Sequence, residues 1–181
     1  MKLWLVRHAR PLIAPGVCYG ATDMAADAEA TQTSAQALAL VLPQGVRVMS
    51  SPLQRCIQLA QALEALRPDL HAMPNARLAE MDFGCWEGVR WDAIPKHDFD
   101  HWMANFSTCR FGGRESVGEF MQRVASARAD TLRHAGPSVW ITHAGVARAM
   151  TLLAEGLTAV ERADQWPKAT PEWGQWWERE L

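Results

Sequence analysis

Nothing in these 181 residues approaches the roughly 18 consecutive apolar positions that a membrane-spanning helix needs. The formal net charge of -2 leaves no global basic field to draw nucleic acid or an acidic membrane. Any anion site must therefore be a local cluster of arginine and histidine. The opening apolar run is too short for a signal peptide, and no small-residue cleavage site follows it, so the cytoplasm is the expected compartment. Cys18, Cys56, Cys85 and Cys109 are scattered without a C-x-x-C pair, which argues for free thiols over a disulfide framework or a zinc site. Cys56 follows Arg55, an electropositive neighbour for a nucleophile, but a helical apolar stripe already accounts for it. Internal repeats and low-complexity tracts are also missing. What is present is an ordinary globular balance, 49% apolar and 21% charged, long enough for one domain over 1–181 with a sizeable core.

The stretch that organises the rest comes first. Leu3, Trp4, Leu5 and Val6 form a short uninterrupted apolar run, the pattern of a strand buried on both faces of a parallel sheet. It ends abruptly in Arg7-His8, and Pro11 stops simple continuation of a ladder. A Pro-, Gly- and Ala-rich loop follows to Asp27, and Thr31 to Leu42 reads as a helix. Val46 to Met49 is a second strand. It runs into Ser51-Pro52, a helix start with Ser51 as N-cap and Pro52 at the first helical position. Leu53, Cys56, Ile57, Ala60 and Leu63 then trace one buried stripe. Residues from about 73 to 113 are less regular but rich in Trp and Phe, which suggests an insertion packing over the sheet and covering the active site. Ser116 to His134 is helical through Val117, Phe120, Met121, Val124 and Leu132. Ser138 to Thr142 is a third strand ending at His143, with a helix from Gly145 to Glu155. The alternation predicts an α/β three-layer sandwich with a mostly parallel central sheet flanked by helices.

In a parallel sheet those three strand ends share one edge, where α/β folds bind ligands. Arg7, His8, Arg55 and His143 would meet there, beside helix N-termini that add positive dipole ends. Such a cluster in a nearly neutral chain points to a phosphate site. Arginine forks match phosphoryl oxygens, and a neutral imidazole can attack phosphorus to give a covalent intermediate. The leaving alkoxide then needs a proton from a nearby carboxylic acid. Glu80 is the best candidate, with Asp82 and Glu87 as local rivals.

These residues carry a resemblance. Arg7-His8-Ala9 resembles the Arg-His-Gly signature of the histidine phosphatase (phosphoglycerate mutase-like) superfamily, and Ser51 to Ala60 resembles its second block. The stretch Leu78 to Gly88, the Gly112-Gly113-Arg114-Glu115-Ser116 turn and Thr142-His143-Ala144-Gly145 are similar to three further blocks, in the same order. Cys18-Tyr19-Gly20-Ala21-Thr22-Asp23 and the short length are most similar to the alpha-ribazole phosphatases of cobalamin synthesis. By matching position, the resemblance implies His8 as nucleophile, Glu80 as proton donor, and Arg7, Arg55 and His143 as ligands of the transferring phosphoryl group. It implies a phosphomonoesterase working through a phosphohistidine, with alpha-ribazole 5'-phosphate as substrate. A broad-specificity sugar or nucleotide phosphatase, or a mutase-like enzyme, is the enzymatic alternative. A phosphate-ester binding protein without turnover is the other class. Ala9 and Ala144 stand where glycines are common, the usual Thr and Asn after the first motif are absent, and Arg114 interrupts the Gly-Gly-Glu-Ser turn.

The expected partner is a small-molecule phosphate monoester, with no nucleic acid and no membrane. The oligomeric state stays open, a homodimer among the options. No metal or other cofactor is expected, because two arginines, an imidazole and helix N-termini already supply positive field. His97 and His101 share a helical face at i, i+4 but lack a third ligand nearby, so they read as solvated. The tryptophans read as core and lid packing rather than a dedicated stacking platform.

Overall fold

The computed structural model describes residues 1–134 and 136–181. Five strands form one sheet in the order β3-β2-β4-β1-β5: β1 (Lys2–Arg7), β2 (Arg47–Ser50), β3 (Ala72–Pro74), β4 (Ser138–Thr142) and β5 (Trp176–Glu180). The first four run parallel, and β5 is antiparallel to β1. The helices are α1 (Ala28–Val41), α2 (Gln54–Leu66), α3 (Lys96–Ala104), α4 (Val117–Arg133) and α5 (Ala144–Ala154). Period-two alternation divides the apolar run of β1 between two cores. Leu3 and Leu5 join Trp140 and the inner faces of α4 and α5, whereas Trp4 and Val6 join Val139, Ile141 and the residues of α1 and α2. The result is the three-layer α/β sandwich the alternation predicts. Among the described residues no helix is long and apolar enough to cross a membrane.

Several local expectations shift. Two strands and a short helix escape the sequence reading. Strand β3 is only three residues long, and α3 falls within the irregular 73–113 region without a buried residue to mark its inner face. Strand β5 lies in the tryptophan-rich tail, where Trp176 pairs with Val6 and Glu180 with Lys2. Helix α1 starts at Ala28, earlier than its pattern suggests, because Asp27 caps it by accepting from the Ala30 N–H at 2.9 Å. Ser51 does not cap α2. Its N–H still extends the sheet ladder to Ile141 O at 2.9 Å, and α2 begins at Gln54, whose N–H goes to Asp23 Oδ1 at 2.6 Å.

The buried stripe of α2 is also rotated. It comprises Arg55, Cys56, Leu59, Ala60 and Leu63, leaving Ile57 at the surface. Turning the helix this way puts the Arg55 side chain inside the protein. On α4, Ala127 and Thr131 take the inner positions and Leu132 is exposed. This helix opens with a capping box between Ser116 and Glu119.

Register decides what meets at the carboxyl edge. Arg7 lies opposite Thr142, and Ser50 opposite Ile141. The next residues, His8, Ser51 and His143, therefore leave three adjacent strands at nearly the same level.

Candidate active site

His8 is buried behind β1 and held at both ring nitrogens. Nδ1 lies 2.7 Å from Ala9 O, and Arg55 Nε donates to Nε2 at 3.3 Å. A carbonyl can only accept and a guanidinium can only donate, so Nδ1 carries the proton and Nε2 keeps its lone pair. Burial, reinforced by the Arg55 charge, lowers the His8 pKa to about 3. The imidazole is thus neutral at physiological pH, with its basic nitrogen facing a cation.

Arg55 is wholly buried. Its Nη1 donates to Thr22 O at 2.8 Å and its Nη2 to Gly20 O at 2.6 Å. No carboxylate among the described residues forms an ion pair with it, and its charge adds to burial in lowering the pKa of His8 and of His143. The loop that holds it is tied down by Glu87, which accepts the N–H groups of Gly20, Ala21 and Thr22 at 2.9 Å each and that of Phe83 at 3.0 Å, as well as the Thr22 hydroxyl. Burial works to raise the Glu87 pKa, but these hydrogen bonds outweigh it and the net shift is downward. Glu87 is a fixed anion organising the Arg55 loop.

His143 lies 5.1 Å from His8, centroid to centroid, with the two rings at 60°. Its Nε2 sits 2.8 Å from Ser51 Oγ. That oxygen also accepts the Leu53 N–H at 3.3 Å; with the Ser51 hydroxyl donating to Nε2, Nδ1 is the N–H. This Nδ1 is buried and has no protein partner. The role of Ser51 escaped the sequence reading, where Ser-Pro signalled only a helix start. Cys56, packed against His143 and Thr142 O, is a fully buried thiol pushed up to about 12 by burial, which makes it inert as a nucleophile.

Glu80 approaches from the segment after β3. Its Oε2 accepts the Gly145 N–H at 2.9 Å, at the start of α5, and its Oε1 accepts the Met81 N–H at 3.1 Å. A side chain at Gly145 would place its Cβ 2.1 Å from Glu80 Oε1, so only glycine permits this approach. Arg123 on α4 fixes the backbone beneath, donating to Arg77 O, Ala79 O and Glu80 O at 2.9, 2.7 and 3.0 Å while pairing with Glu115 at 2.6 Å. Asp82 is occupied nearby, accepting the Gly84 N–H at 2.8 Å.

Arg7, His8 and Glu80 line one cavity of about 550 Å³, together with Trp91, Trp102, Phe106 and Trp166. The aromatic residues of the 73–113 region pack on one another, with Trp102 stacked on Phe111 at 4.4 Å, and also present faces to that cavity. His97 and His101 lie on α3, away from the cavity lining. Among the described residues no three His, Cys, Asp or Glu side chains gather as a metal site would require.

A family model, the histidine phosphatase superfamily (branch 1), matches residues 3–170. The chain belongs to this superfamily. It is therefore a phosphatase, a hydrolase of phosphate esters. No curated protein sequence matches it significantly. Among solved structures, TTHB049 from Thermus thermophilus is 30% identical, with 87% of this chain and 86% of that one covered and a TM-score of 0.69. The alpha-ribazole phosphatase from Shigella flexneri is 23% identical, covering 100% of this chain and 91% of that one, TM-score 0.82. A mycobacterial glucosyl-3-phosphoglycerate phosphatase is 19% identical over 98% of this chain and 88% of its own, TM-score 0.79. At those last two identities the likeness is one of fold.

The buried histidines of this phosphatase carry a stability signature. Burial holds the His8 pKa down to about 3 and takes the His143 pKa well below 6.5. Below about pH 6.5 the unfolded chain binds protons at these positions that the folded chain refuses, so stability falls as the pH falls. The loss reaches roughly 1 kcal/mol per histidine by pH 5.5, before carboxylates near pH 4 contribute. Urea unfolding at pH 7.5 and pH 5.5 should show the lower midpoint at pH 5.5. His8→Asn should remove about half of the difference; an unchanged difference would contradict a neutral buried His8.

Proposed function

We propose that the protein hydrolyses alpha-ribazole 5'-phosphate through a phosphohistidine on His8. The observation that carries the mechanism is the state of His8: a neutral ring with its lone pair on Nε2, beside a buried, carboxylate-free Arg55. Substrate phosphate enters with its oxygens toward Arg7, Arg55 and the Nδ1–H of His143, which balance charge on the equatorial oxygens. His8 Nε2 attacks phosphorus as the ester P–O bond breaks, and the Glu80 carboxylic acid gives its proton to the departing alkoxide. Glu80, now a carboxylate, accepts a proton from water as that water attacks the phosphohistidine. Inorganic phosphate leaves, and His8 and Glu80 return to their starting forms.

The walls of the cavity support the substrate. Trp91, Trp102, Phe106 and Trp166 suit a flat, largely apolar ring system on the leaving side better than a polyol. The Cys18 to Asp23 block, which resembles the corresponding block in alpha-ribazole phosphatases, supplies the Gly20 and Thr22 carbonyls that hold Arg55. A second reading, a broad-specificity sugar or nucleotide phosphatase, draws on Arg148 and Lys168, two cations that also line the cavity. Comparing kcat/KM across alpha-ribazole 5'-phosphate, adenosine 5'-phosphate and glucose 6-phosphate decides between them. The narrow reading expects the benzimidazole nucleotide to lead the sugar phosphate by about 100-fold or more, since burying a ring among aromatics is worth about 3 kcal/mol. A flat profile would favour broad specificity.

A further inference from the structure

Where the family match ends, at residue 170, the chain folds back over Arg7. The guanidinium donates from Nη1 to Thr170 Oγ1 at 3.3 Å and to Pro171 O at 3.0 Å. Trp173 lies against its face, with the Arg7 Cζ 5.2 Å from the ring centroid. This tryptophan is 45% exposed, with the cation beneath its ring.

The backbone closes the same loop. Gly174 N–H reaches both Arg7 O and His8 O, at 3.1 and 3.0 Å, and Arg7 N–H reaches Gln175 O at 3.0 Å. Gly174 has φ +73°, and a Cβ there would sit 2.0 Å from Ser34 Oγ, so the turn is seated tightly on α1. On the guanidinium itself this segment takes Nη1 and one face. Arg7 Nε is buried and has no protein partner.

We propose that Thr170–Gln175 is a strap that positions Arg7, holding it by Nη1 and by the face under Trp173 so that Nε and Nη2 present a fork to the phosphoryl group. This rests on Arg7 being a phosphate ligand, as the mechanism above has it. A free arginine must freeze several side-chain torsions when it binds an anion. The strap freezes them beforehand, and Trp173 is a positioning residue that acts through Arg7 without touching substrate.

The test uses the whole chain with Trp173→Ala, Trp173→Phe and Thr170→Val, reading p-nitrophenyl phosphate kinetics, the thermal midpoint, and the calorimetric Kd of inorganic phosphate. Trp173→Ala should weaken KM and phosphate Kd together, by roughly 3- to 30-fold, while the thermal midpoint stays within a few degrees. Trp173→Phe keeps an aromatic face and should recover most of the loss, and Thr170→Val should show a smaller loss of the same kind. An unchanged phosphate Kd in Trp173→Ala, or a phenylalanine variant no better than alanine, overturns the strap. Because phosphate binding is measured without turnover, the proposed reaction can fail while this result stands.

Discussion

His8→Ala should reduce turnover by roughly 10⁴-fold or more, the scale seen when a covalent nucleophile is removed, and should abolish the phosphoenzyme. Two histidines lie 5.1 Å apart, and geometry distinguishes them. His8 Nε2 is a lone pair fixed by the Nδ1–H bond to Ala9 O. On His143 Nε2 faces the Ser51 hydroxyl, and Nδ1 is buried without a protein partner. His8 is the histidine whose tautomer its partners fix, with the lone pair that an attack needs on Nε2. The fold should persist, because the ring sits at a strand end and most of the core lies in the two clusters on either side of the sheet. Rapid quenching with a radiolabelled ester should trap an acid-labile, base-stable adduct in the wild type and nothing in the variant. A variant that keeps more than a small fraction of wild-type kcat would mean that the nucleophile is another group.

Glu80→Gln should slow hydrolysis in a way that depends on the leaving group. The amide keeps the shape and an oxygen that can accept the Gly145 N–H, now 2.9 Å from Glu80 Oε2, but it has no proton to give. An alkyl phosphate loses an alkoxide, a poor leaving group, and should slow by roughly the 10²- to 10⁴-fold typical of general acid catalysis. A nitrophenyl phosphate departs unaided and should slow far less in the phosphorylation step. The comparison belongs on kcat/KM, because hydrolysis of a shared phosphoenzyme can mask the difference in kcat. Equal losses on both esters would assign Glu80 a positioning role. Asp82 would then be the next local carboxyl to test, since Glu87 has its oxygens filled by four backbone N–H groups and a hydroxyl.

The helix-cap expectation at Ser51 shows where local rules give way. Ser-Pro ahead of an apolar stripe is a good start signal for a helix, and a helix does follow. Yet Ser51 stays in the ladder, and its hydroxyl goes to a histidine 92 residues away. Ile57 fails for a related reason: its stripe assumed that every inward position is apolar, while the true inward face of α2 carries Arg55. Buried polar residues at functional sites break the periodicity that otherwise reports burial.

Some of this protein was legible in sequence because the physics involved is local. The apolar run Leu3 to Val6, the periodicity or turn signals of α1, α2, α4 and α5, and the strand-helix alternation depend on neighbours within a few residues. They sufficed for the layered α/β fold. The blocks around His8, Arg55, Glu80 and His143 were legible for a different reason, as short patterns resembling those of a known superfamily. Tertiary structure alone decided the rest. It tied Glu87 to the loop 20–22, Arg123 to the carbonyls beneath Glu80, Ser51 to His143, and the tail to Arg7. Each of these joins a polar side chain to groups far away in sequence, and no periodicity encodes such a pairing. Buried polar groups must find partners wherever packing delivers them, and packing is a property of the whole folded chain.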